Sequence, residues 1–136
     1  MAAAKSISER RKWGGLAVLS LSLAIIIIDT TLINVSLRTI VGDLGTTIKS
    51  LQWVITGYAL VLSAFTITGG RLGDLFGRKK LFLIGAVTFA AGSLVAATSH
   101  SVGQLLIGAA LIEGLGAAMM MPATSSLILS NFHGRE

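Results

Sequence analysis

The sequence predicts an all-α integral membrane protein with four transmembrane helices. Three observations carry that prediction. Apolar residues fill 53% of the 136 positions and charged residues only 12%, about half the roughly 25% usual in a soluble domain. Four apolar stretches, at about 13–37, 50–70, 81–98 and 102–130, lie between charges or turns. Each reaches or approaches the roughly 20 residues an α-helix needs to cross the hydrocarbon core. None shows the period-two alternation of a barrel strand, and only helices or closed barrels satisfy their backbone groups in lipid.

Charge placement sets the expected orientation. Lys5, Arg10, Arg11 and Lys12 precede the first stretch, Arg71, Arg78, Lys79 and Lys80 follow the second, and Arg135 follows the fourth. Only Arg38 and Lys49 lie in the first outward loop. The positive-inside rule then places both termini and the 70–80 segment in the cytoplasm, in a multi-pass protein of the plasma membrane. The same asymmetry accounts for the net charge of +5, against the alternative of a basic patch for nucleic acid or anionic lipid. The expected partner is the lipid bilayer, not nucleic acid. The chain has no cysteine, which excludes disulfides and thiolate metal sites. With no nucleophile–base set, phosphate loop or metal cluster in the pattern, the expectation is no enzyme, no cofactor and no metal.

Residues 1–12 read as a polar cytoplasmic tail without regular structure. The apolar run that follows is too long for a signal peptide and lacks a small-residue cleavage pattern at Asp29-Thr30-Thr31, so it reads as a retained first span. Trp13 suits the headgroup boundary. Asp29 lies about 25 Å along the helix from Trp13, and a carboxylate inside the membrane costs about 2.5–3.5 kcal/mol on insertion scales. It is a functional acid, an acid tied to a neighbouring helix, or one reaching outward water.

The outward loop, about 38–49, is short and polar. Trp53 and Tyr58 read as anchors at the outer interface, with a substrate path as the alternative for Trp53. Ser63, Thr66 and Thr68 are expected to bond back to their own helix. Between the second and third spans, Gly70, Arg71, Gly73, Asp74, Gly77, Arg78, Lys79 and Lys80 form a charge-dense tight turn. Asp74 has cations on both sides, for pairing locally or on a neighbouring helix. In the third span, Ala86 and Ala90 offer a small-residue packing face. Ser99-His100-Ser101 is an antiparallel return, and His100 a solvated residue without metal partners.

The fourth span carries a second intramembrane acid, Glu113, about 18 Å inward from Ser101; Asp29 lies about 13 Å inward from Arg38 on the same side. Two carboxylates close together at similar depth would hold a proton between them, which a cation could release. Pro122 is expected to kink or loosen the helix. Met119-Met120-Met121 is adaptable lining or core filler. Residues 131–136 read as a cytoplasmic end.

Several of these stretches resemble a known family. Gly70, Leu72, Asp74, Gly77, Arg78 and Lys79 resemble the signature loop between spans two and three of major facilitator transporters. Leu75 stands where that loop has a base, and Gly73 where it has alanine. Asp29, Thr31, Asn34, Val35 and Leu37 are similar to the first-span motif of the fourteen-span drug:proton antiporter branch, with Arg38 in place of its proline. Gly114, Gly116, Ala117, Ala118 and Met121-Pro122-Ala123-Thr124 resemble the fourth-span motif of the same branch. There Ala110 replaces a membrane arginine implicated in proton coupling, and Glu113 replaces a glutamine.

The resemblance implies four helices of a major facilitator N-terminal bundle, truncated, in a proton-coupled multidrug or small-molecule efflux transporter. It implies a proton and substrate pathway at Asp29 and Asn34, to which the similar depth of Glu113 adds a second acid, the two forming a proton or cation site. It also implies a conformational latch at Gly70, Asp74, Gly77, Arg78 and Lys79, and helix packing or a kink at Gly114, Gly116 and Pro122. The partners implied are a small-molecule substrate, a proton and the missing C-terminal helices, without which the chain is expected to be inactive. The alternative is a stand-alone four-helix remnant or helper without transport activity; a small dimeric exporter ranks last.

Overall fold

A computed structural model describes the backbone of residues 2–132 and the side chains of residues 9–130. Among them are four helices long and apolar enough to cross a membrane, joined by turns of a few residues.

Helix α1 (Ala2–Asp43) is longer than its apolar stretch at both ends. The residues expected as an unstructured tail are helical from Ala2, because Ala2-Ala3-Ala4 and Glu9-Arg10-Arg11-Lys12 are strong helix formers. At the other end Arg38 supplies the backbone N–H that a proline would lack, and the helix continues through it. The loop expected to face outward therefore shrinks to residues 44–47. Gly45, at φ +57, makes the turn in a region that favours glycine. The Thr47 hydroxyl then caps α2 (Ile48–Phe76) by accepting from the Ser50 N–H at 3.2 Å.

The signature segment is mostly helix rather than turn. Gly70 to Asp74 lie within the last turns of α2, which runs to Phe76, and the reversal into α3 (Arg78–Ala97) is made by Gly77 alone, at φ +98. The next return is capped by Ser101, whose hydroxyl accepts from the Gln104 N–H at 3.2 Å. The fourth span then begins as α4 (Val102–Leu105), widens into a π-helical segment over Leu106–Glu113, and resumes as α5 (Gly114–Phe132) with Pro122 inside it. Residues 133–136 of the expected cytoplasmic end lie outside the described residues.

Glycines set how closely the helices meet. A Cβ on Gly92 would lie 2.6 Å from the Glu113 backbone nitrogen, and one on Gly116 would lie 2.5 Å from that of Phe89. The face joining α3 to the fourth span is thus Gly85, Phe89 and Gly92. Ala90, expected in that face, is exposed, since the contact runs one position away from the Ala86–Ala90 line. Gly69 of α2 sits against the Ala118 carbonyl, the one Pro122 leaves without its α-helical donor. Met120 is buried in a core cluster with Leu19, Ile26, Phe82, Phe89, Ala117 and Ala123, so this methionine fills core. A second cluster joins Leu51, Val54, Leu105 and Ala109.

Candidate functional site

All four spans deliver a polar side chain to one place in the bundle. Glu113 ends the π-helical segment and is 1% exposed. Gly92 is what lets it lie there: a Cβ on Gly92 would come within 2.7 Å of the Glu113 Cγ. The polar neighbours of the Glu113 carboxyl are Ser93 on α3 and Asp29 on α1. Tyr58 on α2 neighbours Thr30, Asp29 and Glu113. Two oxygens in this cluster are buried with no hydrogen-bond partner, Glu113 Oε2 and the Tyr58 hydroxyl. An unpaired buried polar group costs about 1–3 kcal/mol, so the cluster is held in place by packing despite its polarity.

Beside it is a cleft of about 10 Å³ lined by Asp29, Thr30, Asn34 and Tyr58, with Ile33, Val54, Ile55 and Ala109 as apolar wall. That is about the space one water requires. Asn34 lines the cleft while its amide donates to the Thr30 carbonyl at 2.9 Å. The Thr30 hydroxyl donates to the Ile26 carbonyl at 2.9 Å. Thr66 makes the same bond back, to the Leu62 carbonyl.

Ala110, at the position of the family's arginine, is 1% exposed. Its methyl would be 3.2 Å from a Cβ on Gly57. Position 110 is therefore sealed against α2, and among the described residues the groups that act on the Glu113 carboxyl are Ser93 and Asp29, neither of them cationic.

The signature residues form a separate group at the end of α2. Asp74 pairs locally, with Arg78 Nη2 at 3.1 Å. Arg78 also donates through Nη1 to the Ser126 carbonyl at 3.5 Å, so one guanidinium links the α2–α3 junction to α5. Lys79 is exposed. A Cβ on Gly70 would sit 3.7 Å from the Pro122 Cβ, and one on Gly114 would sit 3.0 Å from the Val61 Cγ1.

Tyr58, Thr30 and Ser93 are members of the acid cluster that the sequence reading misses. Tyr58 looks like an interfacial anchor because it follows Trp53, yet it lies about 15 Å into α2 by helical rise, the depth reached by both acids. That count is the signal that would have found it. Trp53 is exposed, consistent with a boundary position.

Comparison with known proteins now bears on this geometry. The model of the Major Facilitator Superfamily matches residues 19–136. The chain belongs to that superfamily. It is accordingly a multi-pass membrane protein, and superfamily members are in general carriers rather than enzymes. It is 41% identical over 122 residues to the multidrug efflux pump LfrA of Mycolicibacterium smegmatis, covering 90% of this chain and 24% of that one. It is 36% identical over 124 residues to a puromycin resistance protein of Streptomyces alboniger, covering 91% and 24%. With the methyl viologen resistance protein SmvA of Salmonella typhimurium it shares 35% over 122 residues, covering 90% and 24%. The chain thus spans about a quarter of the length of these relatives. No solved structure matches it.

Proposed function

We propose that these residues are the N-terminal portion of a proton-coupled efflux transporter of the fourteen-span drug:proton type, acting on drug-like small molecules. The observation that supports this most is the meeting of Asp29 and Glu113, with Tyr58 and Ser93, at the centre of a bundle whose relatives are named for drug resistance and efflux. Two facing carboxylates in low dielectric share one proton, and release it when a positive charge enters or when water reaches them. A cleft of water size admits a proton donor and excludes a drug, so the drug path belongs to the surface shared with further helices. The chain sits in the plasma membrane with its first residues and the Asp74 segment cytoplasmic, on the charge asymmetry. The Asp74–Arg78 pair, tied to Ser126, acts as the latch that sets the α2–α3 junction against α5 and against helices of the opposing half.

The test is drug-dependent proton efflux in everted vesicles containing the complete transporter. The double variant Asp29→Asn, Glu113→Gln is expected to abolish coupled transport while leaving the amount of protein in the membrane unchanged. Coupled transport at the parent rate would overturn the reading. The buried Ala110 favours a second reading, a four-helix remnant or helper without transport activity. Absence of drug-coupled proton movement in the unmodified protein would select it.

A further inference from the structure

We infer that the cluster at Asp29 and Glu113 binds a sodium ion through oxygen donors drawn from the first, second, third and fourth spans. This rests on the reading of those two acids as the ion site and adds a second ion to it.

The donor set is hard and oxygen-only: two carboxylates, Asp29 and Glu113, with the hydroxyls of Tyr58, Ser93 and Thr30 around them. Among the described residues no cation acts on Glu113, and Ala110, where the resemblance would place an arginine, is packed against Gly57. Of the three buried side-chain oxygens without a partner among the described residues, Glu113 Oε2 and the Tyr58 hydroxyl belong to this cluster, and the third is Thr124 Oγ1. A single proton shared between the carboxylates would leave the phenol still unpaired. A coordinated cation accepts several oxygens at once and relieves both.

The backbone points the same way. The π-helical segment ends at Glu113, and short π stretches inside α-helices concentrate at functional sites. Departures from the α ladder inside a span release carbonyls, which is how broken transmembrane helices coordinate monovalent ions.

Charge selects the ion. The adjoining cleft, about 10 Å³, admits a bare ion or one water, and two carboxylates make a strong-field donor set that favours the smaller alkali cation over the larger. Calcium takes six to eight oxygens and magnesium keeps several waters, more than this space admits, and transition metals favour imidazole or thiolate. Among the described residues no group of three or more His, Cys, Asp or Glu is clustered. The titratable groups facing the site are Asp29, Glu113 and Tyr58. Protons therefore compete with sodium for the same carboxylates.

The experiment uses the complete transporter, purified in detergent at pH 8.5. Choline chloride is exchanged for sodium or potassium chloride at constant ionic strength, and thermal unfolding is followed. Sodium should raise the midpoint saturably, as a ligand of the folded state does, and potassium should do so less. Asp29→Asn and Glu113→Gln should each remove the sodium response. Tyr58→Phe, which keeps the ring and its packing, should weaken sodium affinity about tenfold, as loss of one oxygen donor to a charge would. Identical midpoints in sodium and choline, or a sodium response unchanged in Glu113→Gln and Tyr58→Phe, would overturn the inference. Failure here with drug-coupled proton efflux intact in sodium-free buffer would sink the sodium site and leave the transport reading standing. A sodium response without any drug-coupled transport would do the reverse.

Discussion

The first and fourth spans each carry one acid, and they sit in the bundle in opposite ways. In the fourth span 56% of the most apolar window is buried; in the first, 11%. The fourth lies against both α2 and α3 through backbone-close glycine contacts, while α1 is held by Leu19 and Ile26 in one core cluster and by the partly buried Ile33, Leu37, Ile40 and Val41 against the other. Ile25, Ile27, Ile28, Leu32 and Val35 on α1 remain exposed, an apolar surface suited to lipid or to further helices. Mean hydropathy does not separate the two spans by burial, since the first is the more apolar of them. What separates them is small residues. Gly108, Gly114, Gly116, Ala117 and Ala118 allow close approach on several sides, whereas α1 presents branched side chains that hold neighbours away.

The largest expected difference is therefore steric. Gly116→Leu or Gly92→Leu forces a side chain into neighbouring backbone and should destabilise the protein by about 3 kcal/mol or more, seen as loss of monodisperse protein in a thermal aggregation assay. Gly15→Leu on α1, with nothing within 4 Å of the added Cβ, should change stability by no more than about 0.5 kcal/mol. Equal effects at Gly15 and Gly116 would break the contrast.

The acids themselves sharpen it. Glu113→Leu replaces a buried, partly unsatisfied carboxyl by an apolar side chain of similar size, and should raise stability by about 1–3 kcal/mol, the cost of the unpaired oxygen it removes, while removing proton-coupled transport. Asp29→Leu, on a half-buried position, should remove transport with a smaller stability change. Thermal unfolding and vesicle transport on the same preparations check both.

The smallest effect belongs to the latch. Asp74 and Arg78 are 64% and 42% exposed, and an ion pair so wetted contributes at most about 1 kcal/mol. Asp74→Asn should leave the unfolding midpoint nearly unchanged yet lower the transport rate, because its proposed role is in how halves meet rather than in how this half folds. A large drop in midpoint with unaltered transport would reverse that assignment.

Much of this organisation was legible in the chain. Asp29 and Glu113 interrupt long apolar runs, and counting rise along each helix brings them to similar depth, where the structure makes them neighbours. Gly77 announced the α2–α3 junction, although its companions Gly70 and Gly73 turned out to be helical contact points. Legibility failed where the outcome depends on which face a helix presents. Ala86 and Ala90 match the small-xxx-small motif, whereas Gly85 and Gly92, seven apart, do not; only the fourth span's position shows that the glycines make the contact. Tyr58 was hidden by its nearness to Trp53. The π-helical segment has no sequence signature of its own in Leu106–Glu113, a stretch that packs against Gly57 and Gly92.

The central claim, that the loosest and the most buried spans bring their acids together, has a direct test. These 136 residues contain no cysteine, so Asp29→Cys with Glu113→Cys introduces an isolated pair in this region. A short bifunctional thiol reagent applied in membranes, followed by mass measurement of peptides, reads whether the two become linked. Rapid crosslinking between positions 29 and 113, with none in an Asp74→Cys, Glu113→Cys control, is the predicted result. Labelled thiols at 29 and 113 that the reagent never links would contradict it, because residues whose carboxyls neighbour each other leave two cysteines within the span of such a reagent.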